Sequence, residues 1–144
     1  LDAGYSVLMI RETGDVQLDN IARTVLANRY ADCHIALHWD STGFDKGIFY
    51  MSVPAVSSYR SMEPVASHWK EHNKLGRTLV DQLAGQGFRL FEGGAMEMDL
   101  TQTSYSTIPS VDLELGDKTS DHGAERLGLL ADGILAGLNV YFAS

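Results

Sequence analysis

The sequence predicts an α/β fold in which helices cover both faces of a mostly parallel open sheet. Two observations support this prediction. Short apolar runs of strand length alternate with longer segments whose apolar residues follow helical spacing. No internal repeat, low-complexity tract or linker interrupts the sequence. We therefore expect a single domain over residues 1–144.

The predicted elements alternate along the chain. Gly4 introduces a first strand at about 5–10, and apolar residues on one helical face predict a helix at about 17–31. Further strands are expected at about 33–38, 47–51, 88–91 and 109–115, and further helices at about 61–84 and 122–139. Residues 93–107 have no clear periodicity and are predicted to form a loop, which at that length is often functional.

Composition excludes several classes of protein. Hydrophobic residues make up 44% and charged residues 21% of the chain, as in ordinary globular domains. The formal charge of −8 argues against a surface that binds nucleic acid or docks on anionic lipid. Cys33 is the single cysteine, so no disulfide forms within the chain, and its apolar surroundings indicate a buried position. We expect no membrane insertion and a monomer.

Two polar residues fall where sites form in parallel sheets, at the carboxyl ends of strands. His38 ends one predicted strand, and Glu114 lies near the end of another. The ordinary interpretation of His38 is a hydrogen-bonded structural histidine. That of Glu114 is a carboxylate at a solvated strand end. Asp112 lies two residues before Glu114 and so faces the same side, which predicts a polar cavity there.

A longer pattern leads up to His38, in a fixed order of residue types. Arg11 and Asp15 come first, and Leu18 and Arg23 follow as Leu-x4-Arg. The pairs Ala27-Asn28 and Ala31-Asp32 come next, before an apolar strand that ends in His38. Later segments are Gly47-Ile-Phe-Tyr50 and the Pro-led strand 108–116, which ends in Glu-Leu-Gly. Together these segments resemble the zinc-dependent amidase-3 family of N-acetylmuramoyl-L-alanine amidases.

The resemblance implies a peptidoglycan hydrolase that cleaves the bond between N-acetylmuramic acid and L-alanine of the stem peptide. It makes His38 one ligand of a Zn²⁺ cofactor and Glu114 the catalytic carboxylate. The other two ligands are expected upstream of Leu1, on a first strand and helix that have no counterpart here. Peptidoglycan as the partner implies a secreted or wall-associated enzyme, or a phage lysin. We assign Trp39, beside His38, a role in stacking on substrate sugars.

The sequence departs from the family at two positions that bear on this site. His34 and Asp112 stand where the family usually has apolar residues. His34 precedes His38 by four strand residues, about 13 Å, which is too far to share one metal ion. We therefore expect a structural role for His34.

Two other functions stay open. The chain could be a peptidoglycan-binding or structural relative without a metal. Alternatively, His68-Trp-Lys-Glu-His72 matches the H-x-x-E-H zinc-protease motif. His68 and His72 would then bind zinc from one helical face, with Glu71 as base and Glu125 or Glu114 as third ligand.

Overall fold

The computed structural model describes residues 1–10 and 19–144. Its strands are β1 His34–Asp40, β2 Ile48–Ser52, β3 Leu90–Glu97 and β4 Ser110–Asp117. Its helices are α1 Asn20–Tyr30, α2 Ser57–Arg60, α3 Val65–Gly85, α4 Thr101–Tyr105 and α5 Ala124–Ala143. Arg11, Asp15 and Leu18, which begin the amidase-like pattern, lie outside the described residues.

The four strands form one sheet in the order β1-β4-β2-β3. The pairs β1–β4 and β2–β3 are parallel, whereas β2 and β4 are antiparallel. The predicted α/β fold with a mostly parallel sheet is therefore confirmed. Because β1 and β4 are parallel neighbours, their carboxyl ends meet at one edge of the sheet.

The two faces of the sheet differ in what covers them. α3 packs on β4, β2 and β3, and α5 packs on α3. The core lies between α3 and the sheet, where Val111, Leu113 and Leu115 of β4 are each at most 1% exposed. The alternate residues of β1 and β4 face α1 and α4, which contact each other over the opposite face. This alternation leaves polar side chains on the face away from the core.

One predicted strand is wrong. Residues 5–10 form no strand, although Val7, Leu8 and Met9 are apolar. All three side chains are more than half exposed, and no described strand pairs with this segment. Apolar residues with strand propensity do not form a strand unless a neighbouring strand is present to pair with them.

The predicted loop 93–107 is also wrong in part. β3 continues to Glu97, and α4 occupies Thr101–Tyr105. Glu92, Gly93 and Gly94 adopt positive φ angles, and the four residues 91–94 of β3 lie opposite the single residue Phe49 of β2. This irregularity breaks the alternation of apolar residues by which a strand is recognised. α4 is too short to show a helical period.

The closing helix α5 has the length and composition that a membrane span also has. It is 20 residues long, with a mean hydropathy of 1.2 in its apolar window. Core helices have the same features, and here Gly133 and Gly137 lie directly against Leu83 and Leu79 of α3. The absence of membrane insertion stays a prediction.

Candidate metal centre

His38 and Glu114 lie side by side near the carboxyl ends of β1 and β4. They are register partners in the parallel pair, so their side chains lie on the same face. The structure thus brings together the two residues that the sequence singled out from separate segments. Their predicted roles, metal binding for His38 and catalysis for Glu114, stay predictions.

Asp112 joins this pair from the same strand as Glu114. Its Oδ2 lies 3.0 Å from Nε2 of His38. Possible ligand atoms of His38, Asp112 and Glu114 all lie within 4.8 Å of one another. The sequence placed Asp112 on the face of Glu114, but its contact with His38 depends on how β1 and β4 pair. In the described part of the chain, this is the one group of three side chains suited to holding a metal ion.

Burial and neighbouring charges shift the pKa values of two residues in this group, Glu114 and His38. Burial raises the pKa of Glu114, and the neighbouring Asp112 carboxylate raises it further. The pKa of His38 is also raised, mainly because its ring donates a hydrogen bond to Asp112. Two half-buried carboxylates beside one imidazole form a site that a cation would stabilise.

A lysine lies at the rim of the group. Lys46 Nζ is 3.1 Å from Asp40 Oδ2 and 5.4 Å and 5.1 Å from the ring centroids of Phe49 and Phe91. Phe49 is the register partner of Glu114 on β2. The Lys46 charge opposes the rise in the pKa of Glu114. No spacing in the sequence pointed to this lysine.

A polar cavity of about 140 Å³ adjoins the group on the same face. His38, Asp112 and Ala36 line it from the sheet, and Arg23 and Thr101 are among its lining residues from α1 and α4. A cavity thus lies on the face where the sequence predicted a polar one, and polar side chains are among its lining residues. The wall formed by α4 was not foreseen, because α4 was not recognised as a helix.

Comparisons with solved structures identify this architecture. An N-acetylmuramyl-L-alanine amidase from Mycobacterium abscessus matches with a TM-score of 0.69 at 19% identity, over 90% of this chain and 65% of that one. The corresponding enzyme from Mycobacterium smegmatis matches with a TM-score of 0.69 at 19% identity, over 92% of this chain and 65% of that one. An N-acetylmuramoyl-L-alanine amidase from Nostoc punctiforme matches with a TM-score of 0.68 at 15% identity, over 99% of this chain and 76% of that one. No protein-family profile matches the chain, and no curated protein matches its sequence.

The chain has the amidase catalytic-domain fold. The resemblance drawn from the sequence is therefore confirmed at the level of the fold. The chain spans 65% of the length of each mycobacterial amidase. Its activity and substrate are accordingly argued as proposals.

Trp39 does not share the face of His38 in this amidase fold. Its half-buried ring packs against the core cluster, and its centroid lies 5.5 Å from that of His122. The indole nitrogen is buried, and no residue in the described part of the chain forms a hydrogen bond with it. The placement favours packing over sugar stacking, and the substrate role of Trp39 stays a prediction.

The H-x-x-E-H motif lies on α3, on the far side of the amidase sheet from His38. His72 is 2% exposed, and its Nδ1 accepts a hydrogen bond from the backbone N–H of Ser110 at 3.0 Å. Glu71 accepts a hydrogen bond from the Tyr141 hydroxyl. Neither Glu114 nor Glu125 completes a three-ligand group with His68 and His72. These contacts favour a structural role for the motif.

Proposed function

We propose that this chain is catalytic sequence of a zinc-dependent N-acetylmuramoyl-L-alanine amidase, which hydrolyses the bond between the lactyl group of N-acetylmuramic acid and L-alanine. The observation that supports it is the His38, Asp112 and Glu114 group at the strand ends of an amidase fold. Fold alone does not specify chemistry, so the proposal depends on these three side chains.

The residues present fit a zinc ion. Zinc accepts imidazole nitrogen and carboxylate oxygen at about 2.0–2.2 Å, which holds tetrahedral donors about 3.3 Å apart. The candidate donor atoms of the three residues lie within 4.8 Å of one another, somewhat wider than that spacing. Asp112 Oδ1 is buried and has no hydrogen-bond partner among the described residues, which leave the charge of this carboxylate without full compensation. Bound zinc would lower the pKa of water and polarise the scissile carbonyl.

Each side chain then has a distinct task. His38 and Asp112 would hold the ion. Glu114 would accept a proton from the attacking water and deliver it to the leaving amine of L-alanine. A raised pKa suits that exchange, because it makes the carboxylate a stronger acceptor of the proton from water.

The remaining properties follow from the substrate. Peptidoglycan lies outside the cytoplasmic membrane, so the enzyme would act as a secreted or wall-associated protein, or as a phage lysin. The formal charge of −8 makes nucleic acid an unsuitable partner, because binding its phosphates requires positive charge. We propose that the protein acts as a monomer.

Zinc content and amide cleavage, measured together, test the proposal. We expect about one zinc per chain by elemental analysis, lost in His38→Ala and kept in His68→Ala. We also expect release of the L-alanine amine from a muramyl peptide by the wild type only when zinc is present. Zinc lost in His68→Ala instead would favour the H-x-x-E-H site. Peptidoglycan binding without zinc or cleavage would favour the metal-free relative.

A further inference from the structure

A second cavity, of about 320 Å³, lies where α3 and α5 approach the edge of the sheet. Its lining residues precede or begin β2, follow α3 and begin α5, and none of them belongs to the candidate metal centre. The volume is about ten times the roughly 30 Å³ of one liquid water, which suits a small organic molecule. We infer that this cavity binds a small monocarboxylate that carries an apolar group.

Two arginines give the cavity a positive wall. Arg89 is exposed, and its Nη2 donates a hydrogen bond to the backbone carbonyl oxygen of Asp45 at 2.6 Å. The Arg126 side chain is 16% exposed, and its Nη2 lies 3.3 Å from Asp45 Oδ2. Because both arginines contact Asp45, their guanidinium groups lie near each other. Two cations at one cavity favour an anionic ligand.

Asp45 is the one acidic residue that lines the cavity, and protein donors already engage its carboxylate. Its Oδ1 accepts from the Gly47 N–H at 2.9 Å, and its Oδ2 accepts from the Ser120 hydroxyl at 2.7 Å and from Arg126. Gly116 makes room for these contacts, because a Cβ atom there would lie 3.1 Å from Asp45 Oδ2 and 2.8 Å from Ser120 Oγ. Asp45 thus offsets the charge of Arg126, and the charge of Arg89 remains.

Arg89 keeps its charge and most of its N–H donors for a ligand. Among the described residues no carboxylate forms an ion pair with it, and its hydrogen-bond acceptor is a neutral carbonyl. A guanidinium has five N–H donors in one plane, and two of them match the two oxygens of a carboxylate. One uncompensated positive charge suits a monocarboxylate better than a doubly charged phosphate ester, whose second charge would be repelled by Asp45.

An apolar surface adjoins these donors. The half-buried Phe88 ring lines the cavity, and Cζ of Arg126 lies 5.3 Å from the centroid of this ring. A ligand with an apolar group beside its carboxylate would bury that group against Phe88, whereas an inorganic ion has no such group to bury. Two sources carry this chemistry: a small organic acid and the C-terminal residue of a peptide.

Four probes separate the effect of charge from that of shape. Benzoate represents an organic acid and N-acetyl-L-phenylalanine represents a peptide end, and benzamide and N-acetyl-L-phenylalaninamide are their neutral counterparts. Titrations follow the backbone amide resonances of Gly47 and Gly87, because both glycines line the cavity. We expect saturable shifts with a Kd on the order of 1 mM for the carboxylates and binding roughly tenfold weaker for the amides. The carboxylate that binds more tightly identifies the source.

The variant Arg89→Gln removes the uncompensated charge at an exposed position. It should weaken carboxylate binding roughly tenfold and leave amide binding unchanged. Arg89→Lys should restore only part of the affinity, because an ammonium group lacks the planar pair of donors. Arg29→Gln, at an exposed arginine in the last turn of α1, is the matched control and should keep the wild-type affinity. His38→Ala should also bind as the wild type does, because the metal centre takes no part.

Absence of saturable shifts at Gly47 and Gly87 with both carboxylates would overturn the inference. Equal affinity for a carboxylate and its amide would do the same, as would wild-type affinity in Arg89→Gln. Loss of binding in His38→Ala would place the carboxylate at the metal centre and also refute the inference. Since the titration requires neither zinc nor turnover, its result does not depend on the proposed amidase activity, and either can fail without the other.

Discussion

Glu114 is a carboxyl group subject to opposing influences. Burial and the Asp112 carboxylate favour its neutral form, and protonated His38 and Lys46 favour its anion. The net effect is a raised pKa, which makes this carboxylate a stronger base than an exposed glutamate. The balance arises because residues from three segments, 38, 46 and 112–114, meet on one face of the sheet.

We expect Glu114→Gln to lower the rate of amide cleavage roughly 10²–10⁴-fold, because glutamine cannot accept the proton from water. Zinc content should be unchanged if His38 and Asp112 hold the ion. Turnover of a muramyl peptide and elemental analysis measure the two quantities. Glu125→Gln, in the exposed first turn of α5, is the control and should retain activity. Loss of zinc together with activity would show that Glu114 is a ligand instead.

His72 makes folding stability depend on pH. Burial lowers its pKa to about 4, and the nearby His68 contributes to the decrease. In the unfolded chain its pKa is about 6.5, so between these values the unfolded state binds more protons. Its contribution is present above pH 6.5 and is lost as pH falls toward 4. The difference corresponds to about 3 kcal/mol.

The measurement is the free energy of urea unfolding at several pH values between 4 and 7. His72→Leu should be less stable at pH 7, because the Ser110 N–H loses its acceptor. It should also show a shallower fall in stability between pH 6.5 and 4. Exposed His122→Ala should keep the wild-type slope. The same slope in His72→Leu and wild type would contradict the assignment.

At the scale of elements, the α3–α5 contact depends on glycines. A Cβ atom at Gly137 would lie 2.6 Å from Leu79 Cδ2 and 3.0 Å from the Leu79 Cα atom. At Gly128, on the exposed side of the same helix, a Cβ would meet nothing within 4 Å. The two positions therefore separate close packing from helix propensity.

We expect Gly137→Ala to destabilise the fold by about 1–3 kcal/mol, because overpacking outweighs the gain in helix propensity. Gly128→Ala should stabilise it by up to about 1 kcal/mol, because alanine favours the helix and meets no obstacle. Urea unfolding of both variants measures these changes. A stabilising Gly137→Ala would show that α5 can move away from α3 without cost.

Elements with a regular period were predictable from the sequence. β1, β4 and α5 were predicted within a few residues of their bounds, because apolar residues mark each of them clearly. β3 was predicted too short, since positive φ angles at Glu92–Gly94 interrupt its alternation. The strand expected at 5–10 failed for another reason: pairing is a property of two segments, and no described strand lies beside it.

At the scale of the whole molecule, the candidate site was predictable only in part. The positions of His38 and Glu114 at strand ends followed from the fold class. The contact of Asp112 with His38, and the approach of Arg23 to His34, depend on how β1, β4 and α1 pack. These are tertiary contacts between residues far apart in sequence, and no local pattern encodes them.

Zinc binding should be visible in the stability of the entire chain. A ligand that binds only the folded state stabilises it by RT ln(1 + [L]/Kd), or about 2.7 kcal/mol at one hundred times Kd. For a chain of this size, that corresponds to a rise in Tm of roughly 5–10 °C. Thermal unfolding with zinc and with a chelator measures the shift. We expect it in the wild type and in His68→Ala.

His38→Ala should abolish the shift while folding in the absence of zinc, since the His38 side chain is 43% exposed and outside the core. A full shift in His38→Ala would place the zinc elsewhere and refute the proposed centre. Loss of the shift in His68→Ala alone would point to α3. Because the comparison is made within each variant, with and without zinc, an effect of the substitution on folding does not obscure the result.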